Sequence, residues 1–103
     1  MAKAKEHLKD WKFIRPELRN FLEYMDINYQ YSISSLYRPN DLQSEHSTGE
    51  GVDIRCANSR DRFYLVSLAV MYGCTRIGIY DQHIHFGFAD WKDQDVLWTG
   101  ISK

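Results

Sequence analysis

Three side chains of metal-ligating type stand out along the chain: His46, Asp53 and His85. Between His46 and Asp53 lie Gly49 and Gly51, which let the backbone turn sharply and approach other groups closely. One of the two ligand types then comes from a loop and the other from the adjoining strand. His85 belongs to the alternation His83-Ile84-His85-Phe86-Gly87-Phe88. The apolar members of that strand point to a core and the histidines to the opposite face. A His, Asp, His set suits a catalytic zinc ion, which takes nitrogen and oxygen ligands tetrahedrally and keeps a fourth position for water. His83 shares the strand face with His85 and rivals it as third ligand. Spacing alone does not separate such a set from a structural His–Asp pair, and other divalent ions also accept these donors.

The elements that must position these groups are legible from pattern. Pro16 suits the first turn of a helix, where its missing N–H costs nothing. Leu18, Phe21, Leu22 and Met25 then follow at helical spacing, which predicts a helix from about Pro16 to Met25, with Asp26 and Asn28 as terminators. Tyr29 to Tyr37 reads as a strand with Tyr31, Ile33, Ser35 and Tyr37 on one face. Pro39, Asn40 and Asp41 break regular structure, and Leu42 to Glu50 reads as a polar loop. Gly51 to Arg55 reads as a short strand with Val52 and Ile54 inward and Asp53 on the other face. Asn58 and Ser59 can cap a second helix, with a broad apolar face from Phe63, Val66, Leu68, Ala69 and Val70, and Gly73 as its terminator. Arg76 to Tyr80 and His83 to Phe88 form a hairpin across Asp81 and Gln82. The last stretch, with Trp91, Leu97, Trp98 and Ile101, is expected to pack back as a short helix or turn. Trp11, Trp91 and Trp98 are read as core or edge packing, as are Tyr37 and Tyr80.

The chain of 103 residues suits one domain, 1–103, with a Lys-rich first ten residues expected to be partly loose and His7 solvated. Thirteen basic residues against fourteen acidic ones leave no excess to drive binding to nucleic-acid phosphates. An aromatic content of 15% argues for a packed fold over disorder. The apolar runs fall short of the roughly 20 residues that span a bilayer, so no membrane insertion is expected. The N-terminus lacks the apolar run of a secretory signal. Cys56 and Cys74 have no Cys-x-x-Cys spacing and are expected to be core thiols.

The stretch Ser44-Glu45-His46-Ser47-Thr48-Gly49-Glu50-Gly51-Val52-Asp53 follows Ser34-Ser35-Leu36-Tyr37-Arg38 and precedes an Ile77-Gly78-Ile79-Tyr80 strand and an Ile84-His85 strand. This order resembles the M15 family of zinc D,D-peptidases, which includes D-alanyl-D-alanine carboxypeptidases and phage L-alanyl-D-glutamate endopeptidases and shares a fold with Hedgehog signalling domains. The resemblance runs from about Phe13 to Trp91. It implies an α+β fold, a small antiparallel sheet with helices packed on one side and zinc at the open face. It makes His46, Asp53 and His85 the zinc ligands. Arg38 matches the arginine that binds substrate carbonyl or carboxylate groups. Ser44 matches a hydroxyl that supports the site or touches substrate, and His83 is a further candidate for substrate contact.

Three departures accompany the match. The family's general base usually stands three residues before the last histidine, where this chain has Gln82; Asp81, one residue earlier, is the candidate base. Many relatives carry an acidic residue two positions after that histidine, where this chain has Gly87. Gly51 stands where alanine is usual.

The function implied is zinc-dependent hydrolysis of a peptide bond in bacterial peptidoglycan stem peptides. A chain this short without a signal looks like a small phage-type endolysin, made in the cytoplasm and reaching the wall after release, or like a virion-associated peptidase. A monomer is expected, with the wall peptide as its partner. The alternative is a zinc-stabilised wall-peptide-binding or virion structural module that has lost its base.

Overall fold

The computed structural model describes residues 11–28 and 31–102. The loose first ten residues, the solvated His7 and the strand's start at Tyr29 lie outside the described residues. Two helices pack on a five-stranded mixed sheet, an α+β arrangement. Among the described residues no helix is long and apolar enough to cross a membrane.

Helix α1 (Pro16–Asn28) begins at the proline and buries the stripe Leu18, Phe21, Leu22 and Met25 completely. It continues past Asp26 through Asn28. Helix α2 (Ser59–Met71) is capped by Asn58, whose side-chain oxygen accepts the Asp61 N–H at 3.1 Å. It ends before Gly73, whose φ of +97° is the left-handed conformation that favours glycine after a helix. Its buried face is narrower than its sequence suggests. Leu65, Leu68 and Ala69 are buried, whereas Phe63 and Val70 project into solvent. A helix lying flat on a sheet covers only one stripe, and Phe63 and Val70 fall outside it.

The strands are β1 (Ser32–Ser35), β2 (Gly51–Arg55), β3 (Arg76–Ile79), β4 (His83–Gly87) and β5 (Val96–Thr99), in the spatial order β1-β2-β4-β3-β5. The first four pair antiparallel, and β5 runs parallel to β3. The sheet is therefore mixed rather than antiparallel, and the C-terminal stretch is a strand rather than a helix or turn. Val96 and Trp98 alternate with the more exposed Leu97 and Thr99, a strand periodicity. The residues satisfy an edge of β3 that would otherwise carry open hydrogen-bonding groups. Strand β1 is shorter than expected and bulged: Ile33 stands opposite Ile54, but Ser35 stands opposite Asp53. The bulge breaks the single face assigned to Tyr31, Ile33, Ser35 and Tyr37.

One face of the sheet carries Val52, Ile54, Ile77, Ile84 and Phe86 into a single apolar core with α1 and α2. Phe21 meets Phe86 edge-on, with ring centroids 5.3 Å apart. Cys56 and Cys74 are free thiols in this core, and burial pushes Cys74 up to about 11. The opposite face carries Asp53, Arg76, His83 and His85, with Trp98 beside them. The loop leading to β2 is locked to the segment just before α1 at Gly49, whose carbonyl accepts the Arg15 N–H at 2.8 Å. Gly49 has φ +72°, and a Cβ there would lie 1.8 Å from the Phe13 carbonyl oxygen, so only glycine fits.

Candidate metal centre

Strand register assembles the site. Asp53 of β2 stands directly opposite His85 of β4 on the polar face, while their neighbours Val52 and Phe86 pair on the core face. Asp53 Oδ1 lies 2.9 Å from His85 Nδ1. His46 enters from the loop before β2 and brings Nε2 to 3.3 Å from the same oxygen. Ligand atoms of His46, Asp53 and His85 all lie within 4.8 Å of one another, a group able to hold a metal ion. This is the set named from sequence.

The donor chemistry fits a cation. His46 is almost fully buried, and its Nδ1–H donates to the Leu36 carbonyl at 2.6 Å. A carbonyl can only accept, so this bond leaves the Nε2 lone pair directed at the site. His85 Nε2 lies 2.9 Å from Glu45 Oε1, which leaves Nδ1 for the site. Each histidine therefore has its remote nitrogen held by an oxygen acceptor, the arrangement that orients ligating imidazoles.

Electrostatics point the same way. Burial raises the Asp53 carboxyl, but the imidazoles of His46 and His85 beside it outweigh that and hold it far below the usual carboxylate range. Burial lowers the His85 imidazole, but Asp53 and Glu45 outweigh it and hold the ring above the usual histidine range. Glu45 is likewise kept below its ordinary value, burial being overcome by His85, the Ala89 N–H and Arg76.

A metal ion must therefore displace a proton from His85. Affinity for a divalent ion is expected to rise by about tenfold per pH unit until the raised His85 value is passed, and then to level off. The metal-free protein should move oppositely. Stability from a raised His85 is complete below the unfolded value and is lost as pH climbs through the folded one. Melting curves with zinc and with chelator, from pH 6 upward, check this; parallel trends would count against it.

The triad lies in an open cavity of about 330 Å³, lined also by Arg38, Ser44, His83, Tyr80, Arg76 and Trp98. Arg38 is half-exposed at the rim and pairs with Asp41 at 3.1 Å. Ser44 Oγ accepts the His46 N–H at 3.1 Å, which fixes the turn that presents the ligand. His83 stacks on Tyr80 with centroids 4.4 Å apart, and its Nδ1 lies 2.7 Å from Ser102 Oγ.

Asp81 does not join them. It sits fully exposed on the hairpin turn, where its carboxylate accepts the Ser102 N–H and is lowered by that bond. The Arg62 guanidinium holds the turn by bonding the Tyr80 and Asp81 carbonyls. Anchored in this way, the turn carries the Asp81 side chain away from the cavity.

Glu45, Arg76 and Trp98 belong to the site without having been singled out from sequence. Trp98, a packing residue on sequence grounds, has its indole against His85, with centroids 5.8 Å apart, and beneath Arg76. It occupies the space over Gly78, where a Cβ would approach it to 2.5 Å. The signal lies in the strand glycines: Gly78 is inside β3, while Gly51 begins β2 and Gly87 ends β4, and glycine in a strand marks close approach by another group.

No protein-family model, curated protein or solved structure matches the chain.

Proposed function

We propose that this protein is a zinc-dependent hydrolase of a peptide bond in peptidoglycan stem peptides, similar to the M15 peptidases. The observation that carries the reading is the convergence of His46 Nε2, Asp53 Oδ1 and His85 Nδ1 in an open cavity whose rim holds Arg38. Two histidines and one carboxylate leave a coordination position free, as a hydrolytic site requires and a closed structural site does not. A bound zinc ion supplies Lewis acidity and generates a nucleophile from water near neutral pH. Arg38 presents a planar fork of donors to a substrate carboxylate or carbonyl. Its pair with Asp41 is solvent-exposed, so exchanging that partner for substrate costs little. His83, which lines the cavity with an imidazole outside the ligand set, accepts and returns the proton in this scheme. That role replaces the one expected of Asp81.

A second reading rests on a specific observation. The carboxylates lining the cavity, Glu45 and Asp53, are both bonded to His85. Without an uncommitted carboxylate, the same site suits a zinc-stabilised module that binds wall peptides without cutting them.

Digestion of purified peptidoglycan by the zinc-loaded protein, with products read by mass spectrometry, tests the first reading. New peptide fragments that disappear on chelation, and that fall at least tenfold with His83→Gln, are expected. Intact peptidoglycan with one tightly bound zinc per chain would move the assignment to the binding module.

A further inference from the structure

We propose that Glu45 is the positioning residue of the metal centre: its carboxylate fills the space left by the absent side chain of Gly87 and holds His85 so that Nδ1 faces Asp53 and His46. The inference rests on the reading of the triad as a divalent-metal site. Glu45 stands next to a ligand in sequence, yet its side chain is among the most buried polar groups of the protein, 3% exposed. A carboxylate in that position is costly unless its oxygens are satisfied. Here Oε1 accepts from His85 Nε2 at 2.9 Å and from Arg76 Nε at 3.1 Å, and Oε2 accepts the Ala89 N–H at 3.2 Å.

The strand glycines show what this placement demands. A Cβ on Gly87 would fall 2.0 Å from Glu45 Oε2 and 2.3 Å from Oε1. A Cβ on Gly51 would fall 2.8 Å from Glu45 Cβ and 2.9 Å from His85 Cε1. The glycines with positive φ are Gly49 and Gly73, so backbone conformation does not require glycine at 51 or 87. What both positions supply is room for the Glu45–His85 pair.

The geometry also limits what Glu45 does. It sits on the Nε2 edge of His85, whereas the cluster of ligand atoms lies at the Nδ1 edge. Glu45 therefore acts through the ring: it keeps the proton on Nε2, sets the rotation of the imidazole and raises the basicity of Nδ1. Loss of such a partner typically weakens metal binding by about 10–100-fold. The competing account makes Glu45 a strut whose only task is the ion pair with Arg76.

The test is zinc affinity, by competition with a chromophoric chelator, for the wild type, E45A, E45Q, R76A, G87D and the double variant E45A/G87D. E45A and E45Q are expected to bind zinc about 10–100-fold more weakly, while R76A, which leaves His85 its acceptor, loses far less. G87D alone forces a second carboxylate into occupied space and weakens binding. In E45A/G87D the aspartate enters the vacated space from the neighbouring strand position, and at least a tenfold recovery over E45A is expected. Ring ¹⁵N spectra of His85 in the zinc-loaded proteins give a second readout: a protected Nε2–H in the wild type and the double variant, and rapid exchange in E45A. Wild-type zinc affinity in E45A, or a loss in R76A equal to that in E45A, overturns the role of Glu45 and leaves the metal site standing. A wild-type protein that binds no zinc overturns both.

Discussion

Asp53→Ala is expected to abolish metal binding at the triad and, on the proposed peptidase reading, any chelator-sensitive release of peptide fragments. Asp53 is the carboxylate of the triad, and a single oxygen of it faces both His46 Nε2 and His85 Nδ1. Removing it takes away the negative charge that offsets the ion and leaves two imidazoles whose spacing was set by a shared partner. The loss of zinc affinity should exceed the roughly 100-fold upper range seen when only an outer partner of a ligand is removed. Asp53→Asn keeps the shape without the charge and should fall between the wild type and the alanine variant. Calorimetric titration with zinc measures both, with circular dichroism to confirm that the sheet is retained. One zinc per chain at wild-type affinity in Asp53→Ala would sink the assignment of the triad. The residue is half-buried beside a cavity, so its removal opens no large void in the core. Loss of metal should thus separate from loss of fold.

Phe86→Ala is expected to have the opposite character, a large loss of stability from a residue that touches no candidate ligand atom. Phe86 is fully buried, pairs across the sheet with Val52 and Ile77, and meets Phe21 of α1 edge-on. Truncating a buried phenylalanine costs about 3–5 kcal/mol through lost transfer energy and the cavity left behind. A domain of this size has a total stability of about 5–15 kcal/mol, so the variant loses a large share of it. Because Phe86 follows His85 on the same strand, the ligand is lost when the strand comes away. Zinc should then restore part of the deficit by mass action, about 2.7 kcal/mol at a hundredfold excess over its dissociation constant. Urea unfolding with and without zinc measures both quantities. Phe63→Ala is the contrasting case: that side chain is 77% exposed, and its removal should change the midpoint little. A loss below about 1 kcal/mol in Phe86→Ala would contradict the core described above.

Much of this arrangement was legible in the sequence, for reasons that are local. The stripe Leu18, Phe21, Leu22 and Met25, the Asn58 cap and the Gly73 terminator describe helices through contacts within a few residues, and the helices form where those signals stand. Alternation along Gly51–Arg55 and His83–Gly87 places Asp53 and His85 on the faces opposite Val52, Ile54, Ile84 and Phe86, because strand side chains change sides at each residue. The grouping of His46 with Asp53 and His85 follows from the same alternation and from the motif.

What the sequence left open depends on register and on distant partners. Trp98 becomes part of the cavity only because β5 runs parallel to β3 and sets the indole over Gly78. Asp81 leaves it because Ser102 and Arg62, far along the chain, hold the hairpin turn. Glu45 is buried only because Gly87, forty-two residues later, has no side chain to occupy that space. Sequence by itself determined which faces are apolar and which groups can bind a cation, since periodicity and residue chemistry are intrinsic to the chain. Tertiary structure alone decided which of the remaining polar groups reach those ligands, since pairing across the sheet sets those distances and no local pattern encodes it.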